Sequence, residues 1–367
     1  MKPALVAATL LAGACAASSV APTPGPPPRR SDREIAAQLL ARFDSLRQAF
    51  MIPGLAVVIL RDTTVLAAEG FGLADRERNI PVTPDTPFNI ASVTKPMAAV
   101  VALRLVELGR LELDRPMRSF RNFPEFCTDV RGAGGIFFGD YACEHPRLTL
   151  RHVLSMTANG APGTRFLYNP PSFSWASRPM AEVGDTSFSE LVHLLVFEPA
   201  GMTRSARIHR RLPLRADLAT ALATPYRIDS AGRLVPSEQP GPQGDGAAGG
   251  VIASARDLAR FDIALTRGRL LRPESIRAMW TPGRSPSGAP LPYGLGWFLA
   301  APFGEPLVWH TGLWEGAYSA LYLKSPTRRL TLILLANSDG LRWEARLDEA
   351  AIERSPFATA FLAAFPR

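Results

Sequence analysis

The sequence predicts an α/β (α+β) fold, with an antiparallel sheet drawn from both ends of the chain and a mainly helical part inserted between. Two observations carry this. Strand-like apolar runs fall at Leu55–Leu60 and Val65–Ala68 and again at Leu295–Leu299, Ala317–Leu323 and Leu330–Ala336. Between Leu111 and about Gln243 the pattern is helical and loop instead. Terminal segments meeting in one sheet leave a cleft against the inserted helices.

The elements follow in order. Met1-Lys2 and the apolar stretch Ala4–Ala14 read as a secretion signal, residues 1–16, too short to span a membrane. Leu11-Ala12-Gly13-Ala14-Cys15 resembles a bacterial lipobox, so Cys15 is either a lipidated membrane anchor or lost on cleavage near Ala14 or Ala16. Residues 17–32 form a proline-rich linker with nothing to bury. The domain then runs over 33–367, its sheet part about 33–115 and 245–367 and its helical part about 116–244.

Ser31-Asp32-Arg33-Glu34 is a capping box opening a helix with Ile35, Leu39, Phe43, Leu46 and Phe50 on one face. Pro53-Gly54 ends it, and Arg61-Asp62-Thr63-Thr64 turns the first hairpin. Thr149 caps Leu150–Met156, on which His152 reads as structural, and Ser187-Phe188-Ser189-Glu190 is a second capping box. Gly244–Gly250 lacks the Gly-Lys-Ser/Thr of a phosphate loop and reads as a pocket wall. Lys324–Arg329 turns a C-terminal antiparallel hairpin, and an amphipathic helix after Trp343 closes the chain.

The net charge of +8 invites a nucleic-acid reading, but the arginines are scattered among acids and form no dense stripe. No nucleic-acid or protein partner is expected. Five histidines, at 145, 152, 193, 209 and 310, show no HExxH spacing, so neither metal nor cofactor is implied. With Cys15 set aside, Cys127 and Cys143 remain in an oxidising compartment, where they bridge or stay as two free thiols.

Chemistry concentrates in Ala91-Ser92-Val93-Thr94-Lys95. Serine and lysine three apart share a face at the start of a helix continued by Met97, Val100, Val101, Leu105 and Leu108 and stopped by Gly109. A hydroxyl there lies beside free N–H groups, and an amine one turn on can take its proton. The alternative is a capping serine beside a solvated lysine. Of 41 basic residues only Lys2, Lys95 and Lys324 are lysines, and arginine cannot act as the base.

Downstream, Pro162–Tyr168 carries a tyrosine in a loop of the helical part, and His310-Thr311-Gly312 precedes the strand at Ala317. Serine-x-x-lysine, tyrosine loop and small-residue strand edge, in that order, resemble the serine β-lactamase and penicillin-binding-protein group: class C β-lactamases, DD-peptidases and family VIII esterases. The segments Val82–Phe88, Leu148–Leu154, Phe197–Met202, Gly249–Ser254 and Tyr293–Trp297 are similar to that family's in the same order.

The resemblance implies the β-lactamase/DD-peptidase fold, with Ser92 attacking an acyl carbonyl and Lys95 and Tyr168 sharing the proton transfers. It implies an oxyanion hole from the backbone N–H groups of Ser92 and Leu313, with His310, Thr311 and Gly312 on the strand edge that holds substrate. Two departures stand out. The tyrosine loop reads Tyr168-Asn169-Pro170 where the family has Tyr-x-Asn, so Asn169 is the candidate to replace the missing amide clamp only if the loop is reshaped. His310 stands where lactamases and DD-peptidases place lysine. Both weaken recognition of penicillins or D-alanyl peptides and leave ester hydrolysis intact. The leading expectation is an exported serine hydrolase, periplasmic or lipid-anchored in a bacterium, acting on a small ester or amide. A class C-like β-lactamase or D-alanyl-D-alanine carboxypeptidase is one alternative, a non-catalytic envelope binding protein another.

Overall fold

Apolar strands from opposite ends of the sequence bury one another in this protein. A computed structural model describes residues 30–133, 139–241, 244–342 and 349–365. Its strands are β1 (Gly54–Arg61), β2 (Thr64–Asp75), β3 (Ile80–Pro81), β4 (Pro87–Asn89), β5 (Ala206–Arg207) and β6 (Tyr226–Ile228). They continue with β7 (Leu234–Pro236), β8 (Val251–Ser254), β9 (Phe298–Ala300), β10 (Leu307–Trp314), β11 (Tyr318–Ser325) and β12 (Leu330–Ala336).

The main sheet is antiparallel throughout, in the order β3-β2-β1-β12-β11-β10-β9. β1 runs against β12 from Leu55 opposite Ala336 to Arg61 opposite Leu330, so the two ends of the chain share the sheet centre. Nearly every residue of β1, β11 and β12 is buried, which requires cover on both faces because side chains alternate. The helices Asp32–Ala49 and Ala255–Thr266 supply it, each packed against β1, with Pro356–Ala364 docked on the former. Ile35, Leu39, Phe43 and Leu46 are the buried face of the first helix, as its periodicity predicts. Asn337 pins the sheet's middle: it accepts from Gly54 N–H and donates to the carbonyls of Leu73 and Thr224.

Between β4 and β8 the chain is mostly helical, including Thr94–Glu107, Phe123–Ala133, Leu150–Leu154, Pro170–Ser174 and Ser177–Gly184. β8 pairs with both β4 and β5 in a small second sheet. The expected caps form: Ser187 accepts from Glu190 N–H, and the Thr149–His152 box closes reciprocally, which gives His152 a structural role. Gly109 ends the helix Thr94–Glu107 at φ +69°, with the paired bonds Gly109 N–H to Val106 and Arg110 N–H to Leu105.

His310–Gly312 lies in β10, the strand edge that the resemblance implies, ahead of β11; the apolar pattern alone does not mark β10, because a glycine and a histidine dilute it. The run from Leu295 becomes strand only at Phe298, since Gly296 takes φ +73°. The helix expected to close the chain after Trp343 is Pro356–Ala364, capped by Ser355 with proline in its first turn. Residues 343–348, the signal segment and most of the proline-rich linker lie outside the described residues. Among those described, no helix is long and apolar enough to cross a membrane.

Cys127 and Cys143 form a disulfide across 16 residues of sequence. Replacing both with serine is expected to cost about 3 kcal/mol by the chain-entropy relation. Denaturant unfolding of the double variant against the oxidised protein measures it, and equal stability would show that the closed loop was already ordered in the unfolded chain.

Candidate active site

Ser92 sits in the single helical turn Ala91–Val93 that leads into the helix Thr94–Glu107. Ala91 has φ +47°, so the chain turns sharply just before the serine. Asn89 Oδ1 accepts from Ala91 N–H at 2.9 Å, and Ile90 N–H bonds to Val251 O at 3.1 Å, fixing the turn to β8. Ser92 alone in the run Ile90–Val101 is not buried.

One turn on, the Lys95 side chain is completely buried. Its Nζ lies 2.7 Å from Ser92 Oγ and donates to the carbonyl of Ala248 at 3.0 Å. Burial pushes its pKa well below the usual lysine range, and no carboxylate opposes that shift. A neutral amine keeps one donor for Ala248 and turns its lone pair toward the serine proton, the geometry of a base beside a nucleophile.

Tyr168 and Phe173 enclose the amine, with ring centroids 5.1 Å and 5.6 Å from Nζ. Tyr168 stacks on Phe298 at 5.7 Å and meets Tyr293 edge-on at 6.4 Å. The expected serine, lysine and tyrosine therefore converge.

Strand β10 forms the other wall. A Cβ on Gly312 would stand 2.2 Å from the carbonyl of Ile90, so only glycine lets the strand approach the nucleophile turn this closely. Thr311 is buried and Leu313, further along the strand, half-buried. β9 pairs only with Leu307–Trp309, so among the described residues no strand pairs with that edge of β10 from His310 onward.

His310 is fully buried. Its Nδ1 lies 2.6 Å from the Thr311 carbonyl, which can only accept, so Nδ1 carries the proton and Tyr293 O–H donates to Nε2 at 2.8 Å. Burial, and then the neighbouring Lys95, hold its pKa well below the ordinary histidine value. It presents no cation to a substrate carboxylate.

Asn169, the candidate to replace the missing amide clamp, is almost fully buried. Its Oδ1 accepts from Ser172 N–H at 3.0 Å as the cap of Pro170–Ser174, and its Nδ2 donates to Asn159 at 2.8 Å. Pro170 begins that short helix, which draws Asn169 inward as its cap.

Sequence reasoning misses the Ala248 carbonyl, Tyr293 and Phe298 as parts of the site. Their signals are the glycine-rich passage and the Tyr293–Trp297 segment. In the latter, Gly296 packs its Cα against the Lys95 carbonyl, where a Cβ would lie 2.6 Å away. Among the described residues no cluster of His, Cys, Asp and Glu is placed to hold a metal ion.

A Beta-lactamase family model matches residues 41–355. Penicillin-binding protein 4* of Bacillus subtilis is 28% identical over 312 residues, covering 75% of this chain and 68% of that protein. Esterase EstB of Burkholderia gladioli is 27% identical over 363 residues, covering 83% and 91%. The octameric penicillin-binding protein homologue from Pyrococcus abyssi superposes with a TM-score of 0.70 at 25% identity, covering 89% of this chain and 77% of that one.

The buried amine sets a pH dependence of stability. The lysine of the unfolded chain takes up its proton near pH 10.5, whereas the folded one resists until much lower pH. Wild-type stability therefore rises with pH through the window below 10.5. The gain is about 1.4 kcal/mol for each tenfold difference in proton affinity. Lys95→Met removes this slope. Its stability relative to wild type is expected to be most favourable near neutrality and to decline toward the alkaline end of that window, as read by denaturant unfolding across pH. Parallel profiles would show that Lys95 is charged in the fold.

Proposed function

The chain belongs to the Beta-lactamase family, and from that premise we propose an exported serine hydrolase that opens small esters or amides through an acyl-enzyme on Ser92. The observation that carries this reading is the buried Lys95 amine, 2.7 Å from Ser92 Oγ and anchored by Ala248.

The chemistry follows from those positions. Ser92 Oγ attacks the substrate carbonyl while its proton passes to the Lys95–Tyr168 pair. The backbone N–H groups of Ser92 and Leu313 hold the oxyanion, each donor worth about 3 kcal/mol in the transition state. The same pair returns the proton to the leaving group, and later activates the water that releases the acyl group. Thr311 and Gly312 form the strand edge along which the substrate lies. His310 shapes that edge from behind through Tyr293.

Uncharged esters suit this cleft better than penicillins or D-alanyl peptides. Asn169 is consumed as a helix cap, leaving no free amide there to clamp a substrate amide. His310 is neutral and enclosed, so no cation on that strand meets a substrate carboxylate. The likeness to an esterase at 27% identity over nearly its whole length agrees with this choice.

Intact-mass analysis with a fluorophosphonate, followed by turnover of nitrophenyl acyl esters and of benzylpenicillin, tests the proposal. One adduct on the wild type and none on folded Ser92→Ala is expected. Ester turnover should exceed penicillin turnover by at least about tenfold, and Ser92→Ala should lose it. A folded wild type that takes no adduct removes the catalytic reading, and preferred penicillin turnover replaces the substrate class. After expression in a bacterium, loss of residues 1–14 or 1–16, or a lipid on Cys15, is the expected sign of export.

A further inference from the structure

The carbonyl that holds Lys95 belongs to a loop, and the loop is itself held. Residues 244–250 reach the amine through Ala248 before the chain enters β8. Arg207, in the two-residue strand β5 paired with β8 at Val251, points its guanidinium into this loop. Its side chain is only 1% exposed. It donates to the carbonyl of Gly249 and, at 2.8 Å, to that of Gly246, gripping the loop on both sides of Ala248.

Asp245 supplies the counter-charge, 3.3 Å from Arg207 Nη2. It accepts in turn from the Ser189 hydroxyl at 2.6 Å and the Ser189 N–H at 3.2 Å. The Phe188 ring lies 5.1 Å from the guanidinium carbon. On the opposite side Ala247 N–H bonds to Ser174 O at 2.9 Å, and a Cβ on Gly246 would collide with the Ser174 hydroxyl. A planar fork of donors suits two carbonyls and a carboxylate at once, which a point-charged lysine does not.

We propose that Arg207 and Asp245 are positioning residues: as a pair they fix the carbonyls of Gly246 and Gly249, so that the Ala248 carbonyl holds the Lys95 amine against Ser92. The inference rests on the reading of Ser92 and Lys95 as nucleophile and base. Nothing in the sequence motif around Ser92 encodes it, since Arg207 comes from a distant part of the chain.

The consequence is a displaced pH limb. The groups facing Lys95 Nζ are Ser92, Tyr168 and Phe173, His310 on β10, and Ala248. None is a carboxylate, so the amine stays neutral through exclusion of water. Asp245 and Gly246 also line an open cavity of about 590 Å³ with His209, Arg178, Arg210 and Arg211, so the loop has a solvent-accessible side. Releasing the loop wets the amine, and a wetted lysine holds its proton to higher pH.

The test compares Arg207→Ala, Arg207→Lys and Asp245→Asn with Arg328→Ala. Arg328 is a half-buried arginine that also grips carbonyls, those of Leu362 and Phe365, at the C-terminal helix. The rate of fluorophosphonate labelling of Ser92 is followed against pH, beside thermal unfolding of each variant. Arg207→Ala is expected to label about tenfold slower or worse near neutrality, with its acid limb moved to higher pH. Arg207→Lys should fall between it and wild type. Asp245→Asn should move the limb in the same direction, and it carries the test if Arg207→Ala does not fold. Arg328→Ala should unfold at lower temperature with its limb unmoved. A wild-type limb in Arg207→Ala or, failing its folding, in Asp245→Asn overturns the proposal and leaves the pair a structural brace. A wild type that does not label at all fails earlier, at the Ser92 reading, and is recognised by its matching Ser92→Ala.

Discussion

The cleft depends on keeping one amine dry. Lys95 is enclosed by its own helix, by Tyr168 and Phe173, by the wall of β10 and by the loop that carries Ala248. Each approach is closer than a side chain allows. Gly312 lets β10 pass against Ile90, Gly296 lets the segment before β9 pass against the Lys95 carbonyl, and Gly246 lets the loop pass against Ser174. The shared requirement is exclusion of water, which a single Cβ at any of the three would disturb.

The same requirement separates the two described lysines. Lys324 is also nearly buried, but it pairs with Asp262, which Tyr322 O–H contacts at 2.5 Å and Thr331 Oγ1 at 3.2 Å. Through that carboxylate Lys324 braces β11 and β12 against the helix Ala255–Thr266. Lys95, among aromatic rings and a carbonyl, has no carboxylate to brace against, and burial lowers its pKa. Scarcity of lysine singles out Lys95, yet it points equally to Lys324. What separates the two lysines is the partner, and partners come from distant segments.

That difference sets how much could be read from the chain. Helix faces such as Ile35–Leu46, the two hairpins, the Ser187 cap and the Ser92–Lys95 spacing are local patterns, and each appears where its periodicity or cap residue puts it. The order of segments also brings Tyr168 and His310 to the site through resemblance. Hidden are facts made by packing: that Asn169 turns inward, that His310 is sealed behind Tyr293, and that a glycine-rich passage supplies the carbonyl for Lys95. β10 escapes recognition for a related reason. A strand required to carry glycine at its point of closest approach loses the alternation by which strands are recognised.

The departures in the tyrosine loop and on β10 are one change rather than two. Pro170 opens a short helix whose cap is Asn169, and the same segment carries Phe173 toward Lys95 and Ser174 toward the loop at Ala247. Neutral His310 bonds to Tyr293, whose ring meets Tyr168 and stacks on Phe166. A cationic lysine in place of His310 would lie near the amine whose neutrality the cleft maintains, and would have to be solvated or paired. An uncharged strand edge and an inward-facing cap therefore belong together with an amine kept neutral by burial alone. In the proposed reading, selectivity for uncharged substrates follows from the same burial that holds Lys95 neutral.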